Sequence, residues 1–236
     1  MTEDAVSGPD RPLPKTARVV IIGGGVMGCG LAYHLAHEGW TDVVLLEKAE
    51  LTSGSTWHAA GQITHSVSHY GLAKMAAYGT DLYPQLEAEE IRAAHPFYNL
   101  DGVLGALHTP DDGHVDPSGV TQAMAIGARQ LGARIVRRCR ATDVKVLPSG
   151  EWRVSTEKGD IVCEHVVNAG GAYARQMGEW SGLQLPMTTM THHYFVTDTV
   201  PEFQALDHEL PVIRDDRKVS GYIRMEQKSG LIGIYE

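Results

Sequence analysis

The stretch Val19-Val20-Ile21-Ile22-Gly23-Gly24-Gly25-Val26-Met27-Gly28 decides the fold. Four β-branched residues in a row predict a buried strand, Ala17 to Ile22, which runs straight into glycines spaced GxGxxG. Met27, Leu31 and Leu35 then fall at i, i+4 and i+8, with Ala32 and Ala36 beside them and Gly39 where a helix C-cap belongs. A helix from Val26 to Glu38 is predicted. Asp42 to Leu46 supplies a second strand that ends on Glu47, so the first fifty residues form a βαβ unit with its right-handed crossover.

A glycine-rich turn alone is weak evidence in a chain with 26 glycines among 236 residues. Its context strengthens it. Gly23, Gly25 and Gly28 permit a tight turn, close approach of backbone to a pyrophosphate and close helix packing, while the helix N-terminus attracts phosphate. Glu47, 24 residues after Gly23, stands where a carboxylate accepts hydrogen bonds from a ribose diol and repels a 2′-phosphate. NADP is disfavoured, and FAD and NAD remain open at this point.

Composition narrows the partners. A formal charge of −9 without a basic cluster argues against nucleic acid and against an anionic membrane surface. The apolar run from Val19 to Tyr33 is too short and too rich in glycine to span a bilayer. Residues 1–16 carry three acids and three prolines without an apolar core, and are expected to be a disordered tail rather than a leader. Cys29, Cys139 and Cys163 lack CxxC spacing, which suits reduced thiols. A cytoplasmic location is expected.

After Glu47 the alternation of strand and helix stops. Leu51 to Gly61 is rich in Ser, Thr and Gly, and Gly71 to Glu90 has helical spacing through Leu72, Met75, Leu82 and Leu86, interrupted at Pro84. Asp116-Pro117 reads as an N-cap and N1 pair opening a helix whose apolar face is Val120, Met124, Ala128 and Leu131. Strands are predicted at Ala133–Val136, Thr142–Val146, Trp152–Thr156 and Ile161–Glu164, with Val166-Val167 leading into Asn168-Ala169-Gly170. Thr191 to Thr197 and Gly221 to Glu226 alternate again. On the first of these, His192 and Tyr194 would share a side and His193 would face away. Arg224 shares a face with Tyr222 and Glu226; surface pairing with Glu226 is favoured over a carboxylate clamp. His114 either lines a ligand pocket or fixes a helix entrance. Asp111, Asp112 and Asp116 read as turn and cap residues rather than as a metal site.

Several of these segments carry a resemblance: Gly23 to Gly30, Glu47-Lys48, Leu51 to Gly61, Asp112 to Pro117, Val167 to Gly170 and His192-His193-Tyr194. Together they resemble the dimethylglycine and sarcosine dehydrogenase branch of the amino-acid-oxidase-like flavoproteins, over about Ala17 to Glu236. The missing βα continuation also disfavours NAD. The resemblance implies an α/β fold, a Rossmann-like FAD-binding domain (17–62 and 117–183) interleaved with an incomplete antiparallel-sheet substrate domain (63–116 and 184–236). It implies that Gly23, Gly25, Val26, Met27 and Gly28 meet the pyrophosphate, and Glu47 and Lys48 the adenosine ribose. Gly54, Ser55, Thr56, Trp57, His58, Ala59, Ala60, Gly61 and Gln62 would run along the flavin, with His58 attached covalently to its 8α-methyl. Ala141 would meet adenine, and Ala169, Gly170 and Tyr173 would supply a second flavin-domain contact. Tyr194, with His192, would act on the substrate.

The implied activity is oxidative demethylation of an N-methylated glycine, with electrons passing to an electron-transferring flavoprotein and tetrahydrofolate used only by a domain that full-length members carry. A non-catalytic relative, similar to the regulatory subunit of pyruvate dehydrogenase phosphatase, is the alternative, and His58 discriminates because a regulator needs no attachment histidine. Two departures are notable. Several strands expected after Glu90 are missing, and the chain stops at Gly233-Ile234-Tyr235-Glu236 inside an expected strand. Leu231, Ile232 and Ile234 are therefore expected to lack neighbours on one side.

Overall fold

The computed structural model describes residues 12–63, 85–108, 113–215 and 220–234. Its elements begin with β1 (Thr16–Ile22), α1 (Val26–His37), β2 (Val43–Leu46), β3 (Gln62–Ile63), β4 (Gln85–Leu86), α2 (Ala88–Ala94), β5 (Ala106–Leu107), β6 (Gly113–His114) and α3 (Pro117–Gln130). They continue with β7 (Arg134–Val136), β8 (Ala141–Val146), β9 (Trp152–Thr156), β10 (Gly159–Asn168), α4 (Ala174–Trp180), β11 (Tyr194–Thr199), α5 (Pro201–Gln204), β12 (Ile213–Asp215), β13 (Gly221–Glu226) and β14 (Ser229–Ile234). The chain divides into two compact units, residues 1–59 with 116–189 and residues 60–115 with 190–236.

The first unit is a six-stranded sheet in the order β7-β2-β1-β10-β9-β8. The first four strands are parallel, and β9 and β8 extend the sheet antiparallel. All four residues of β2 and the last four of β1 are buried, as parallel strands covered on both faces must be. Successive side chains therefore feed two cores. Val19, Ile21, Val43, Leu45 and Ile135 pack with α1 and α3, whereas Val20, Ile22, Val44, Leu46 and Val136 pack with Val144, Val154, Ile161 and Met177 of α4.

Several sequence expectations shift here. Residues 12–16 are no tail: Leu13 packs on the second core, and the Lys15 carbonyl accepts the Val162 N–H at 3.0 Å. Ile161–Glu164 and Val166-Val167 are parts of one ten-residue strand, β10, because β1 pairs along its length. The apolar face expected on α3 holds in part: Ala128 is buried and Met124 packs on the first core, but Thr121 and Ala125 are buried as well and Leu131 is 48% exposed. On α1 Leu31 and Leu35 pack on the first core as expected, the fully buried residues are the small Cys29, Ala32 and Ala36, and Met27 is 75% exposed. The two helices meet through small side chains, and a Cβ on Gly127 would lie 2.8 Å from the Tyr33 ring. Close approach, rather than large apolar residues, decides which face turns inward.

The second unit contains a four-stranded antiparallel sheet, β11-β14-β13-β12, and two ribbons, β3 with β6 and β4 with β5. β14 is flanked on both sides at Leu231, which pairs with Val196 and Arg224 and is buried, and at Ile232, contrary to the expectation there; Ile234, paired with Gly221 on one side among the described residues, is 47% exposed as expected. The helix expected from Gly71 lies outside the described residues as far as 84; Leu86 is in a strand, and the helix starts at Ala88 and continues to Ala94. A capping box sets that start, with the Glu90 carboxylate accepting the Glu87 N–H at 2.9 Å. His95, just past its end, is buried edge-on against Phe97 and Tyr98, and its Nδ1 has no hydrogen-bond partner. Among the described residues no helix is long and apolar enough to cross a membrane.

Two outcomes follow from this packing. Ala125→Leu should lower stability by about 1–3 kcal/mol through overpacking against α1, while Leu131→Ala should stay within about 0.5 kcal/mol. Urea titrations of both variants test this, and equal shifts would contradict the assigned face. Burial also pushes the His95 pKa below its ordinary value of 6.5. The unfolded chain then binds a proton that the folded chain refuses, so this stabilisation is complete above pH 6.5 and is lost as pH falls through it. His95→Leu should flatten the fall in urea midpoint below pH 6.5, and an unchanged fall would absolve His95.

Candidate functional site

The glycine turn works because three positions have no room for a side chain. Gly23 has φ +123°, and a Cβ there would lie 2.2 Å from the Ala169 carbonyl oxygen. A Cβ on Gly28 would sit 1.9 Å from the Gly23 carbonyl oxygen, and one on Gly25 would lie 2.9 Å from Thr56 Oγ1. Gly24, a variable position in the GxGxxG pattern, is as tightly held. A Cβ there would meet Leu51 at 2.7 Å and Glu47 at 2.9 Å. In α1 the first intrahelical bond is donated by Cys29 to the Gly25 carbonyl at 3.0 Å, so Met27 and Gly28 N–H precede the helical ladder. The Val26 N–H donates to the Thr56 hydroxyl at 3.0 Å.

Glu47 is buried at the end of β2, and both of its oxygens hold backbone. Oε2 accepts the Gly24 N–H at 2.7 Å and Oε1 accepts the Ala49 N–H at 2.8 Å. The carboxylate thus fixes the loop as well as facing the cleft. The Thr52 N–H and, at 3.6 Å, the Cys29 thiol both reach the Gly24 carbonyl, which closes the other side of the turn. Burial pushes the Cys29 thiol up to about 12 and that of Cys163 to about 11, so both are protonated packing groups rather than nucleophiles.

The turn opens onto a cleft of about 100 Å³ lined by Gly23, Glu47, Lys48, Ala141, Gly170 and Tyr173, together with Cys139, Arg140, Gln176, Met177 and Trp180. That volume suits one end of a dinucleotide, since pockets for whole drug-sized ligands run to about 300–1,000 Å³. The cleft lies at the carboxyl ends of β1 and β2, where the chain leaves β1 toward β2 on one side and β10 pairs with β1 on the other. That is where α/β sheets bind ligands. Asn168 shapes its far wall by accepting the Gly170 N–H at 3.2 Å and donating to the Ala174 carbonyl at 2.8 Å. Arg140, Gln176 and Trp180 had no motif to announce them; only tertiary contact brings them here.

Other expected site residues lie outside this cleft. Gly54, Ser55, His58 and Ala59 are exposed on consecutive turns, Thr56 is buried, and the Trp57 ring stacks on His58 with centroids 3.7 Å apart. Ala169 continues from β10, its N–H donating to Ile22. In the second unit the Gly61 carbonyl accepts the Val115 N–H, and Gln62 pairs with His114 across the β3–β6 ribbon. His114 Nε2 lies 3.4 Å from the Glu209 carboxylate. Asp116 is the expected N-cap, accepting the Ser118 N–H at 3.0 Å; Asp111 and Asp112 lie outside the described residues.

The substrate-side expectations change more. β11 begins at Tyr194, so His192 and His193 precede the strand and the shared-side argument does not apply to His192. His192 instead lies 6.2 Å, ring to ring, from Tyr222. Tyr222 is itself buried over Gly233, where a Cβ would lie 2.2 Å from the phenol ring. Arg224 is not a surface residue. It is 7% exposed, donates to the Ala60 carbonyl at 2.8 Å and to the Met225 carbonyl at 2.7 Å, and pairs with Glu226 at 2.5 Å. Alternation placed Arg224 and Glu226 on one face correctly; it could not show that the face is covered.

A profile described as FAD dependent oxidoreductase matches residues 18–90 and 85–235. The chain belongs to this family. It is 38% identical to dimethylglycine dehydrogenase of Rattus norvegicus, over all of this chain and 33% of that protein. It is 31% identical to sarcosine dehydrogenase of Homo sapiens, over all of this chain and 31% of that one. The pyruvate dehydrogenase phosphatase regulatory subunit of Mus musculus is 31% identical over 95% of this chain and 30% of its own length. The chain thus spans about a third of these curated relatives. Among solved structures, L-proline dehydrogenase from P. horikoshii shares the fold, with TM-score 0.79 at 21% identity over 94% of this chain and 70% of that one. The comparison with the rat protein runs over 282 positions against 236 residues, so at least 46 positions have no counterpart here. The two family matches meet at residues 85–90, beside the shortening expected after Glu90.

The Glu47 geometry has a consequence independent of any ligand. Glu47→Ala removes the acceptors of two backbone N–H groups, one of them buried, and should cost about 1–3 kcal/mol of stability in the cofactor-free chain. Thermal unfolding of the apoprotein measures it, and an unchanged melting temperature would show that solvent replaces the carboxylate at no cost.

Proposed function

We propose that the first unit holds FAD and that the protein oxidises an N-methylated glycine, dimethylglycine or sarcosine. The observation that carries this is the Gly23–Gly28 turn pinned by Glu47 beside the cleft, in a chain 38% identical to a dimethylglycine dehydrogenase. The residues fit a dinucleotide. Each Glu47 oxygen has a lone pair beyond the one given to backbone, which leaves room for a ribose diol. Met27 and Gly28 offer N–H groups at a helix N-terminus to the pyrophosphate, with Gly23 and Gly25 open for its approach and Val26 held in reserve by Thr56. Lys48 would meet the ribose, Ala141 the adenine, and Ala169, Gly170 and Tyr173 the opposite wall.

Bound FAD would supply the two-electron acceptor, at N5, for hydride from the N-methyl carbon. The chain's own work is placement. His58, exposed on its loop with one face against Trp57, is the proposed attachment point for the 8α-methyl, and residues 54–62 would follow the ring system. Tyr194 would hold the amine through its hydroxyl in the neutral form that can lose hydride, with His192 beside it. An electron-transferring flavoprotein is the proposed acceptor, and tetrahydrofolate would be used only by a domain of full-length members. Three buried free cysteines fit a reducing compartment, and the cytoplasm is our proposal, although the mammalian relatives are mitochondrial by name.

A second reading, a non-catalytic role in binding a partner, is favoured by the similarity to the pyruvate dehydrogenase phosphatase regulatory subunit. One experiment separates the two. The purified protein should be yellow, keep its colour through acid precipitation, lose it as His58→Ala, and bleach when dimethylglycine or sarcosine is added without oxygen. Colourless protein would favour the regulatory reading, and colour that washes out in acid would remove the covalent bond alone.

A further inference from the structure

We propose that Trp57 is a positioning residue for His58 and sets the rate at which that histidine joins the flavin. The inference rests on the attachment reading above and deepens it. The segment that carries His58 is tied to the glycine turn at two places: the Thr52 N–H donates to the Gly24 carbonyl at 3.0 Å, and the Val26 N–H donates to the Thr56 hydroxyl at 3.0 Å. Within the segment the Trp57 N–H donates to the Thr52 carbonyl at 3.3 Å and the Ala59 N–H to the Thr56 carbonyl at 3.1 Å. His58 therefore stands on a held main chain, and its exposed ring has side-chain torsions left to lose.

The Trp57 ring takes up that freedom. Its centroid lies 3.7 Å from that of the His58 ring with the planes 37° apart, so the indole covers one face of the imidazole. An imidazole nitrogen forms a bond through a lone pair in the plane of its ring, and a cover on the face leaves that edge open. Trp57 is itself 52% exposed and belongs to none of the apolar clusters among the described residues, so core packing does not account for it. Orienting the histidine does. In the attachment step a nitrogen–carbon bond replaces the imidazole N–H and one C–H of the 8α-methyl. The two protons and two electrons left over reduce the flavin ring, and dioxygen takes them as hydrogen peroxide. A ring already turned toward the methyl group reaches that step more often than one that rotates freely.

The test uses apoprotein from riboflavin-starved cells, mixed with FAD in air and quenched in acid at intervals. Flavin that stays with the precipitate measures attachment. Varying the FAD concentration separates the limiting rate of attachment from the concentration that half-saturates it, and the second of these reports any contact of the indole with the flavin. Trp57→Leu should lower the limiting rate about two- to tenfold, whereas Trp57→Phe, which keeps a ring face, should stay within about twofold of the parent. Both variants are expected to fold, because the side chain is half exposed. A limiting rate unchanged in Trp57→Leu, an effect confined to the half-saturating concentration, or a Trp57→Phe as slow as Trp57→Leu would overturn the proposal and leave attachment at His58 standing. A parent that binds FAD but never makes it acid-stable would overturn the attachment reading, and a parent that binds no FAD would overturn the dinucleotide reading; the role of Trp57 falls with either.

Discussion

Burying a carboxylate is costly unless it is fully hydrogen-bonded, and the first unit turns that constraint into geometry. Glu47 sits at the end of the most buried strand and meets two backbone donors, one from the glycine turn and one from its own loop. Through Gly24 it fixes the turn, and through the turn it fixes the start of α1. The Gly24 carbonyl is held in the same way by Thr52, which reaches into the segment that presents His58. One side chain thus links strand, phosphate turn and the candidate attachment loop, and the tight glycine contacts are what allow it to come so close.

The βαβ core was legible because its signals are local. A β-branched run, spaced glycines and a terminal acid specify strand, turn and the carboxylate at the strand end within about thirty residues, and the same holds for the Asp116-Pro117 helix start. Errors arose where tertiary contact chooses between local options. Period found Leu31, Leu35, Met124 and Ala128, which do pack on the first core, but it also pointed inward Met27 and Leu131, which are exposed, because close approach of the helices buries small residues most deeply. Arg224 reads as exposed in any sequence because arginines usually are; the carbonyls of Ala60 and Met225 make burial tolerable, and neither is visible as a motif.

The candidate site divides in the same way. Gly23, Gly25, Gly28 and Glu47 follow from spacing, whereas the cleft walls, Arg140, Gln176 and Trp180, come from the segment after β7 and from α4, far along the chain. Resemblance reached further than spacing by supplying Lys48, Ala141, Gly170 and Tyr173, which the fold brings to one cleft. Spacing did less well for the second sheet. There the placing of His192 depended on where a strand begins, and residues alternating before that boundary carry no facing information.

The central position of β14 has a bearing on synthesis. Among the described residues β11 pairs only with β14, and the bond from the Gly230 N–H to the Thr197 hydroxyl spans 33 residues. At ribosomal speeds of about 5–20 residues per second, β11 waits roughly 2–7 s for the strand that covers it. During that interval Phe195 and Val196 are displayed on an unpaired edge, and β12 and β13 can form a hairpin that still lacks its centre. The order of the sheet therefore makes the nascent chain a natural client for chaperones that hold extended apolar segments, at a stage when the glycine-turn unit, already made, can be folded.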